Sequence, residues 1–196
     1  MSTLSLAAGR PTLADRLVSR SIHTDVLLVA GGAAFTGLLA QVAIPLWPVP
    51  ITGQTLAVLL VASTLGAVRG VAAMVVYALL GVVGVPWFSE AASGWQVVAG
   101  PTGGYIIGFI VAAGLTGWLA QRSWDRRFLG AFVSFMASTG ITFAIGLPWL
   151  AASLGLNLEQ TLQAGLYPFI IGGIIKALIA AAIIPTAWKL TARRGQ

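Results

Sequence analysis

The sequence contains no cysteine and very little charge. Of its 196 residues, 8% are charged and 58% are hydrophobic, and the mean hydropathy is +0.93. A soluble globular domain carries roughly 25% charged residues, so water is not the main solvent of this chain. The absence of cysteine excludes disulfide bonds and thiolate metal sites.

Residues suited to catalysis or metal binding are also scarce. The single histidine, His23, lies near Arg20 and Asp25 in a polar stretch, which is typical of a surface residue. The sequence has no H-E-x-x-H motif, no nucleophile paired with a base and no pair of carboxylates in an apolar segment. We therefore expect a protein that is not an enzyme and holds no metal or cofactor.

Long apolar segments are abundant. The hydrocarbon core of a bilayer is about 30 Å thick and needs about 20 residues of helix to cross it. Six segments qualify, so we predict an all-α membrane protein with six transmembrane helices. The predicted spans are residues 26–44, 52–68, 71–88, 104–121, 128–150 and 166–190.

The basic residues support this count and suggest an orientation, because Lys and Arg accumulate on the cytoplasmic side of membrane proteins. With a cytoplasmic N-terminal tail, ten of the eleven basic residues fall in inner segments, and the outer loops hold none. We predict cytoplasmic tails at 1–25 and 191–196 around a membrane domain at 26–190, in the plasma membrane. The inner basic residues are Arg10, Arg16, Arg20, Arg69, Arg122, Arg126, Arg127, Lys189, Arg193 and Arg194.

The net charge of +6 does not indicate a nucleic-acid partner, because the positive charges lie between apolar segments rather than along one face. The eleventh basic residue, Lys176, lies about ten residues inside the sixth predicted span. A charge at such a depth costs about 2.5 to 3.5 kcal/mol, and snorkelling to the interface suits lysines near a helix end. No acidic residue lies in the predicted spans, so Lys176 is expected to face a cavity that takes an anionic ligand.

Two further regions contain candidate binding residues. Thr52 and Gln54 follow a proline-rich turn, where Thr52 can cap the second helix and Gln54 can either cap it or bind a solute. An aromatic and glycine-rich surface comprises Trp87, Phe88, Trp95 and the stretch 100–105. Tryptophan and tyrosine also favour membrane interfaces in general, so an aromatic belt is the alternative for each of them.

Four strings together resemble the BioY family, the biotin-specific substrate-binding subunits of energy-coupling factor (ECF) transporters. They are PVPITGQT at 48–55, YALLGVVGVPWF at 77–88, GPTGGY at 100–105 and PFIIGGIIK at 168–176. The resemblance implies a six-helix substrate-binding (S) component that holds biotin near the outer face. It also implies partners, namely a transmembrane coupling subunit and two ATPase subunits.

The resemblance suggests roles for particular residues. Lys176 is expected to make the charged contact with biotin, with hydrogen bonds from Gln54, Thr52 and Tyr167. An apolar wall is expected from Tyr77, Trp87, Phe88 and Tyr105. The family's A-x-x-x-A coupling pattern is matched by Ala30 and Ala34, which ordinary helix packing also explains.

Gly173 departs from the family pattern, which commonly has an aspartate three residues before the lysine. This substitution removes a carboxylate partner from Lys176 and a polar group from the expected site. Two alternatives therefore stay open: an S component for another vitamin, and a membrane scaffold in which Lys176 only stabilises the helix bundle.

Overall fold

The computed structural model describes residues 10–193, and most of them are helical. The short helices are α1 (Ala14–Leu17), α3 (Gln54–Leu65), α4 (Ala67–Val82), α5 (Trp95–Ala99) and α8 (Leu158–Gly165). The long helices are α2 (Ile22–Ala40), α6 (Gly103–Gln121), α7 (Phe128–Leu154) and α9 (Tyr167–Arg193). The outermost parts of the predicted tails, 1–9 and 194–196 with Arg194, lie outside the described residues.

Four of the six predicted spans are helices long and apolar enough to cross a membrane: α2, α6, α7 and α9. The second and third predicted spans, 52–68 and 71–88, form shorter apolar helices, α3 and α4. At 1.5 Å per residue, these measure about 18 Å and 24 Å. The protein is thus a mostly helical, multi-pass membrane protein.

The helical fold contains one short β element that the prediction of an all-α protein did not include. Two short strands, β1 (Ala43–Ile44) and β2 (Ile51–Thr52), pair antiparallel with Ala43 opposite Thr52. They flank the proline-rich turn, in which the Trp47–Pro48 peptide bond is cis. The ribbon includes residues that we predicted at the end of the first span and at the start of the second. The helix α3 therefore begins only at Gln54. We call the end of the bundle that carries this ribbon, α5 and α8 the hairpin end.

Helix caps explain two boundaries that apolar periodicity missed. α2 begins at Ile22, four residues before the predicted span, because the Ser21 hydroxyl accepts a hydrogen bond from the Thr24 amide. α8 interrupts the predicted outer loop because Asn157 and Gln160 form a capping box.

The opposite end, which carries Arg16, Arg69, Arg126 and Lys189, is called the basic end. Arg69 was predicted in an inner loop, but it lies in the first turn of α4 and is 1% exposed. Its guanidinium pairs with Asp15 of α1 at 2.7 Å and with Asp25 of α2. Burial alone would raise the pKa of Asp15, but hydrogen bonds from Arg20, Thr12 and Arg69 lower it to about 2. Part of the predicted tail is thereby fixed to the bundle.

A second buried carboxylate lies at the basic end, in the 3-10 turn Trp124–Arg126 between α6 and α7. Asp125 accepts hydrogen bonds from the Trp188 indole at 2.7 Å and from the Ser63 hydroxyl at 3.3 Å. Burial raises its pKa to about 6 in spite of these bonds. Asp125 therefore joins the ends of α3 and α9 to the α6–α7 turn.

The core centres on α6, the most buried of the long helices, which packs against α3, α4 and α7. At the hairpin end, the Phe88 ring occupies the space beside Gly81, where a Cβ would lie 2.1 Å from it. Phe88 also meets Tyr77 edge to face at 5.4 Å. The chain after α4 is therefore fixed against that helix, and it covers the region between α3, α6 and α7.

We predict that Arg69→Met destabilises the protein by about 3 to 5 kcal/mol, because it removes the guanidinium from its buried ion pairs with Asp15 and Asp25. Thermal unfolding of the detergent-purified protein measures this effect. The control is Arg122→Met, since Arg122 is an exposed residue that stacks on Trp118, and it should change stability by less than about 1 kcal/mol. Equal effects of the two variants would contradict a structural role for the Arg69 cluster.

Candidate functional site

Lys176 lies on α9 nine residues after Tyr167, about 14 Å along the helix from the hairpin end. Its ammonium donates hydrogen bonds to the backbone carbonyl of Thr52 and to the Thr55 hydroxyl, the latter at 3.1 Å. No carboxylate forms an ion pair with it among the described residues. An ammonium has three N–H donors, so two neutral oxygens leave both its charge and one donor unmatched.

Lys176 lines a cavity of about 260 Å³ at the hairpin end. Residues from α3, α6, α7 and α9 form its sides, and the turn after α4 together with α5 covers it. Apolar atoms make up most of the lining surface. The apolar lining residues are Val49, Pro50, Phe88, Ala92, Val97, Pro101, Ile106, Phe109, Phe143 and Phe169. Such a cavity with a few placed polar groups is the usual form of a small-molecule site.

The cavity brings together five of the eight residues expected to contact the ligand, and Gly173 lines it with them. Gln54, Thr52 and Lys176 lie on one side, with Gly173 one turn before Lys176 on α9, and Phe88 and Tyr105 complete the set. Tyr105 also donates a hydrogen bond from its hydroxyl to the Gly165 carbonyl at 2.9 Å, which fixes the ring against the end of α8.

Gln54 is the first residue of α3 and does not cap the helix. Its side-chain amide donates to the Tyr77 hydroxyl at 2.6 Å, and its carbonyl oxygen accepts from the Thr52 hydroxyl at 3.0 Å. The hydroxyl oxygen of Thr52 in turn accepts a hydrogen bond from the backbone N–H of Gln54. These bonds hold Gln54 in one orientation with its side chain at the cavity wall.

The other three expected residues, Tyr77, Trp87 and Tyr167, lie outside the cavity. Tyr77 is fully buried behind Gln54. The ring of Trp87 packs on Gly37 and its indole donates to the Tyr77 carbonyl at 2.9 Å. Tyr167 is 54% exposed at the start of α9. Tyr77 and Trp87 therefore support the wall from behind, and none of the three residues lines the cavity as the sequence led us to expect.

Several polar lining residues were missed from the sequence. Thr139 and Thr142 lie one turn apart on α7 and face α9 across the cavity, and the hydroxyl-bearing positions of this apolar span were the available signal. Ser89, Glu90 and Gln96 enter from the cover. Glu90 has a positive φ of 59°, a backbone conformation that the sequence did not indicate.

Gly173 has room around it. A Cβ built there would lie 3.7 Å from the nearest atom, Thr139 Cγ2, which is an ordinary van der Waals distance. The glycine therefore widens the cavity between α7 and α9, and it leaves Lys176 without a carboxylate one turn away.

Ala30 and Ala34 do not line the cavity and lie on the outer surface of α2. Both are exposed, and they are one helical turn apart. The described bundle does not use them for internal packing, so this part of α2 presents small side chains to its surroundings.

Comparisons with known proteins agree with this architecture. The family model described as the BioY family matches residues 11–193. A protein named "Biotin transporter BioY" from Thermotoga maritima is 37% identical, covering 91% of this chain and 99% of the relative. "Biotin transporter BioY2" from Lactococcus lactis is 38% identical, over 79% of this chain and 85% of the relative.

One solved structure has the same fold. It is the crystal structure of "the S-component for biotin from an ECF-type ABC transporter", with a TM-score of 0.77 and 24% sequence identity. The match covers 85% of this chain and 92% of that one. Because the family model spans nearly all of the described residues and the relatives match over most of their own length, this chain belongs to the BioY family.

Proposed function

We propose that this protein is a biotin-binding membrane subunit that mediates biotin uptake together with an ECF coupling subunit and two ATPase subunits. The observation that carries the proposal is the unmatched ammonium of Lys176 in the wall of a mostly apolar cavity. The names of the relatives, which are biotin transporters rather than enzymes, support the choice of ligand.

Biotin suits this cavity chemically. The molecule has an apolar ring system, a ureido group that donates and accepts hydrogen bonds, and a carboxylate on an apolar chain. In our proposal the carboxylate binds Lys176, while Gln54 and Thr52 supply polar contacts and Phe88 and Tyr105 supply apolar surface. Gly173 provides space near the carboxylate, and the ligand's charge replaces the carboxylate that the protein lacks there.

We further propose that the chain crosses the membrane six times with both termini in the cytoplasm, so that 26–190 is the substrate-binding domain between tails at 1–25 and 191–196. The basic residues support this orientation, because the end that carries Arg16, Arg69, Arg126 and Lys189 would face the cytoplasm. In this arrangement α3 and α4 together make the second and third crossings, and the β1–β2 ribbon completes the depth that α3 lacks.

Single-cysteine labelling tests this topology, because the natural chain has no cysteine. In intact cells, a membrane-impermeant maleimide should label Trp47→Cys and Glu159→Cys, which lie at the hairpin end. Ser19→Cys, Val68→Cys and Arg127→Cys should react only after the membrane is permeabilised. Labelling of Val68→Cys from outside would contradict the six-span topology.

The role of Lys176 is tested by biotin binding to the purified protein. A hydrogen bond to a charged group contributes about 1.5 to 3 kcal/mol, so Lys176→Met should weaken biotin binding about 10- to 100-fold. Lys189→Met, at the opposite end of α9, is the matched control and should leave the affinity unchanged.

Biotinol, which has an alcohol in place of the carboxylate, identifies the group that Lys176 contacts. The natural protein should bind biotinol more weakly than biotin, whereas Lys176→Met should bind both about equally. Unchanged biotin affinity in Lys176→Met would remove the lysine from the site. If the natural protein binds no biotin but retains another vitamin, the S component has a different ligand, and if it binds none, the scaffold interpretation stands.

Docking to the coupling subunit is expected at Ala30 and Ala34, which are exposed on α2 and allow close approach of another helix. The double variant Ala30→Leu/Ala34→Leu should bind biotin normally in detergent but lose most biotin uptake in cells that express the coupling subunit and ATPases. The control Ala137→Leu/Ala144→Leu changes two exposed alanines of α7 and should keep both activities. Normal uptake by the α2 variant would place the coupling surface elsewhere.

A further inference from the structure

A groove on the side of the bundle is separate from the Lys176 cavity. It measures about 440 Å³ and lies between α2, α3 and α9. Leu27, Gly31 and Phe35 of α2 form one wall, Ile183 of α9 forms the other, and Leu60 of α3 lies at the floor. We call it the α2–α9 groove. All of these side chains are apolar, so the groove suits a hydrocarbon ligand.

The groove ends at a basic and aromatic site. Leu13 closes it and packs in one cluster with Ile184 and Trp188 of α9. Trp188 follows Ile184 by one turn, on the same face of the helix. The guanidinium carbons of Arg16 and Arg126 lie 5.6 Å and 4.6 Å from the centre of the Trp188 ring. Two guanidiniums therefore converge where the groove meets the basic end.

The protein offsets the charge of these two arginines only in part, because Asp125 attracts Arg126 but forms no ion pair with it. Both are exposed, and neither forms an ion pair within the part of the chain that the structure describes. The neighbouring carboxylates are committed elsewhere: Asp15 pairs with Arg20 and Arg69, and one oxygen of Asp125 accepts from Trp188 and Ser63. A planar guanidinium presents donors in a geometry that matches phosphate.

We propose that the α2–α9 groove binds an acyl chain of an anionic phospholipid, with the lipid phosphate held by Arg16 and Arg126. The proposal does not depend on the ligand of the Lys176 cavity. Charge complementarity selects an anionic headgroup, and the walls, which are apolar apart from Thr64, select the chain below it. Trp188 lies between the two parts, as expected for an aromatic residue at a membrane interface.

The size of the groove favours a lipid chain over a helix of a partner protein. A helix with its side chains is about 10 to 12 Å across, so 440 Å³ holds roughly one turn of it. A flexible hydrocarbon chain can instead follow the groove from Leu13 to Phe35. Gly31 adds to this space, because a Cβ built there would meet no atom within 4 Å.

The test uses the full chain, reconstituted in vesicles of phosphatidylcholine with a minor fraction of phosphatidylglycerol and then examined by native mass spectrometry. The natural protein should retain one phosphatidylglycerol in preference to phosphatidylcholine. A basic residue at the membrane surface adds about 1 kcal/mol to the binding of an anionic lipid, so Arg16→Gln/Arg126→Gln should reduce that preference about 30-fold. Arg122→Gln is the control, because Arg122 also stacks on a tryptophan, Trp118, but does not border the groove.

A second pair of variants tests the groove itself. Gly31→Leu fills it, whereas Gly140→Leu adds the same side chain on α7, where the surroundings are equally open. Retention of phosphatidylglycerol should fall in Gly31→Leu and stay normal in Gly140→Leu. Biotin binding, measured on the same samples, should be unchanged in all four variants and confirms that each has folded.

Three results would overturn the proposal. Equal retention of the two lipids by the natural protein would exclude a headgroup site. Normal lipid retention in Gly31→Leu would exclude the groove as the place of the chain. A dimer of the natural protein that dissociates in Gly31→Leu would assign the groove to a second copy of this chain.

Discussion

Hydrocarbon does not solvate a charge, and this constraint distinguishes the surroundings of the buried Arg69 from those of the half-buried Lys176. At the basic end, Arg69 has carboxylate partners from two other elements, Asp15 of α1 and Asp25 of α2, so its charge is fully used in joining α4 to them. At the hairpin end, Lys176 has only the neutral oxygens of Thr52 and Thr55. Neutral oxygens satisfy donors but do not cancel the charge. The same physical requirement therefore makes Arg69 a structural residue, whereas the charge of Lys176 is not cancelled by an ion pair among the described residues.

The β1–β2 ribbon links the surroundings of Lys176 to the shape of the cavity. It brings the Thr52 carbonyl to the ammonium and places Gln54 at the start of α3, where Tyr77 and Thr52 fix its amide. This arrangement has a cost in helix length, because α3 is about 18 Å long and cannot reach across the hydrocarbon alone. Thr52 of the ribbon and the first turn of α3 line the cavity, so the feature that departs most from a simple helical span also forms part of its wall.

The sequence predicted the features of this architecture that depend on whether a residue lies in hydrocarbon or in water. Uninterrupted apolar segments correctly located α2, α6, α7 and α9, and the energetic cost of a buried charge correctly placed Lys176 at a cavity. The sequence did not show which aromatic residues line that cavity, because Trp87 and Phe88 are adjacent and both are aromatic. Their separation depends on packing against two different glycines: the Trp87 ring packs on Gly37 of α2, and the Phe88 ring packs on Gly81 of α4 and lines the cavity. The caps at Ser21 and Asn157 were readable in the sequence, but hydropathy alone passed over them.

Gly173 lacks a side chain that could supply Lys176 with a charged partner. It precedes Lys176 by three residues, so the two lie on the same face of α9, and the nearest atom to a Cβ there is in ordinary contact rather than in collision. An acidic side chain at this position would fit the space and would pair with the ammonium in the absence of any ligand. With glycine, the free site retains an uncompensated charge, and a carboxylate ligand gains the whole of that interaction on entering. The absence of the aspartate therefore does not argue against an anionic ligand, because it leaves Lys176 without an ion pair to α9 or to any other described residue.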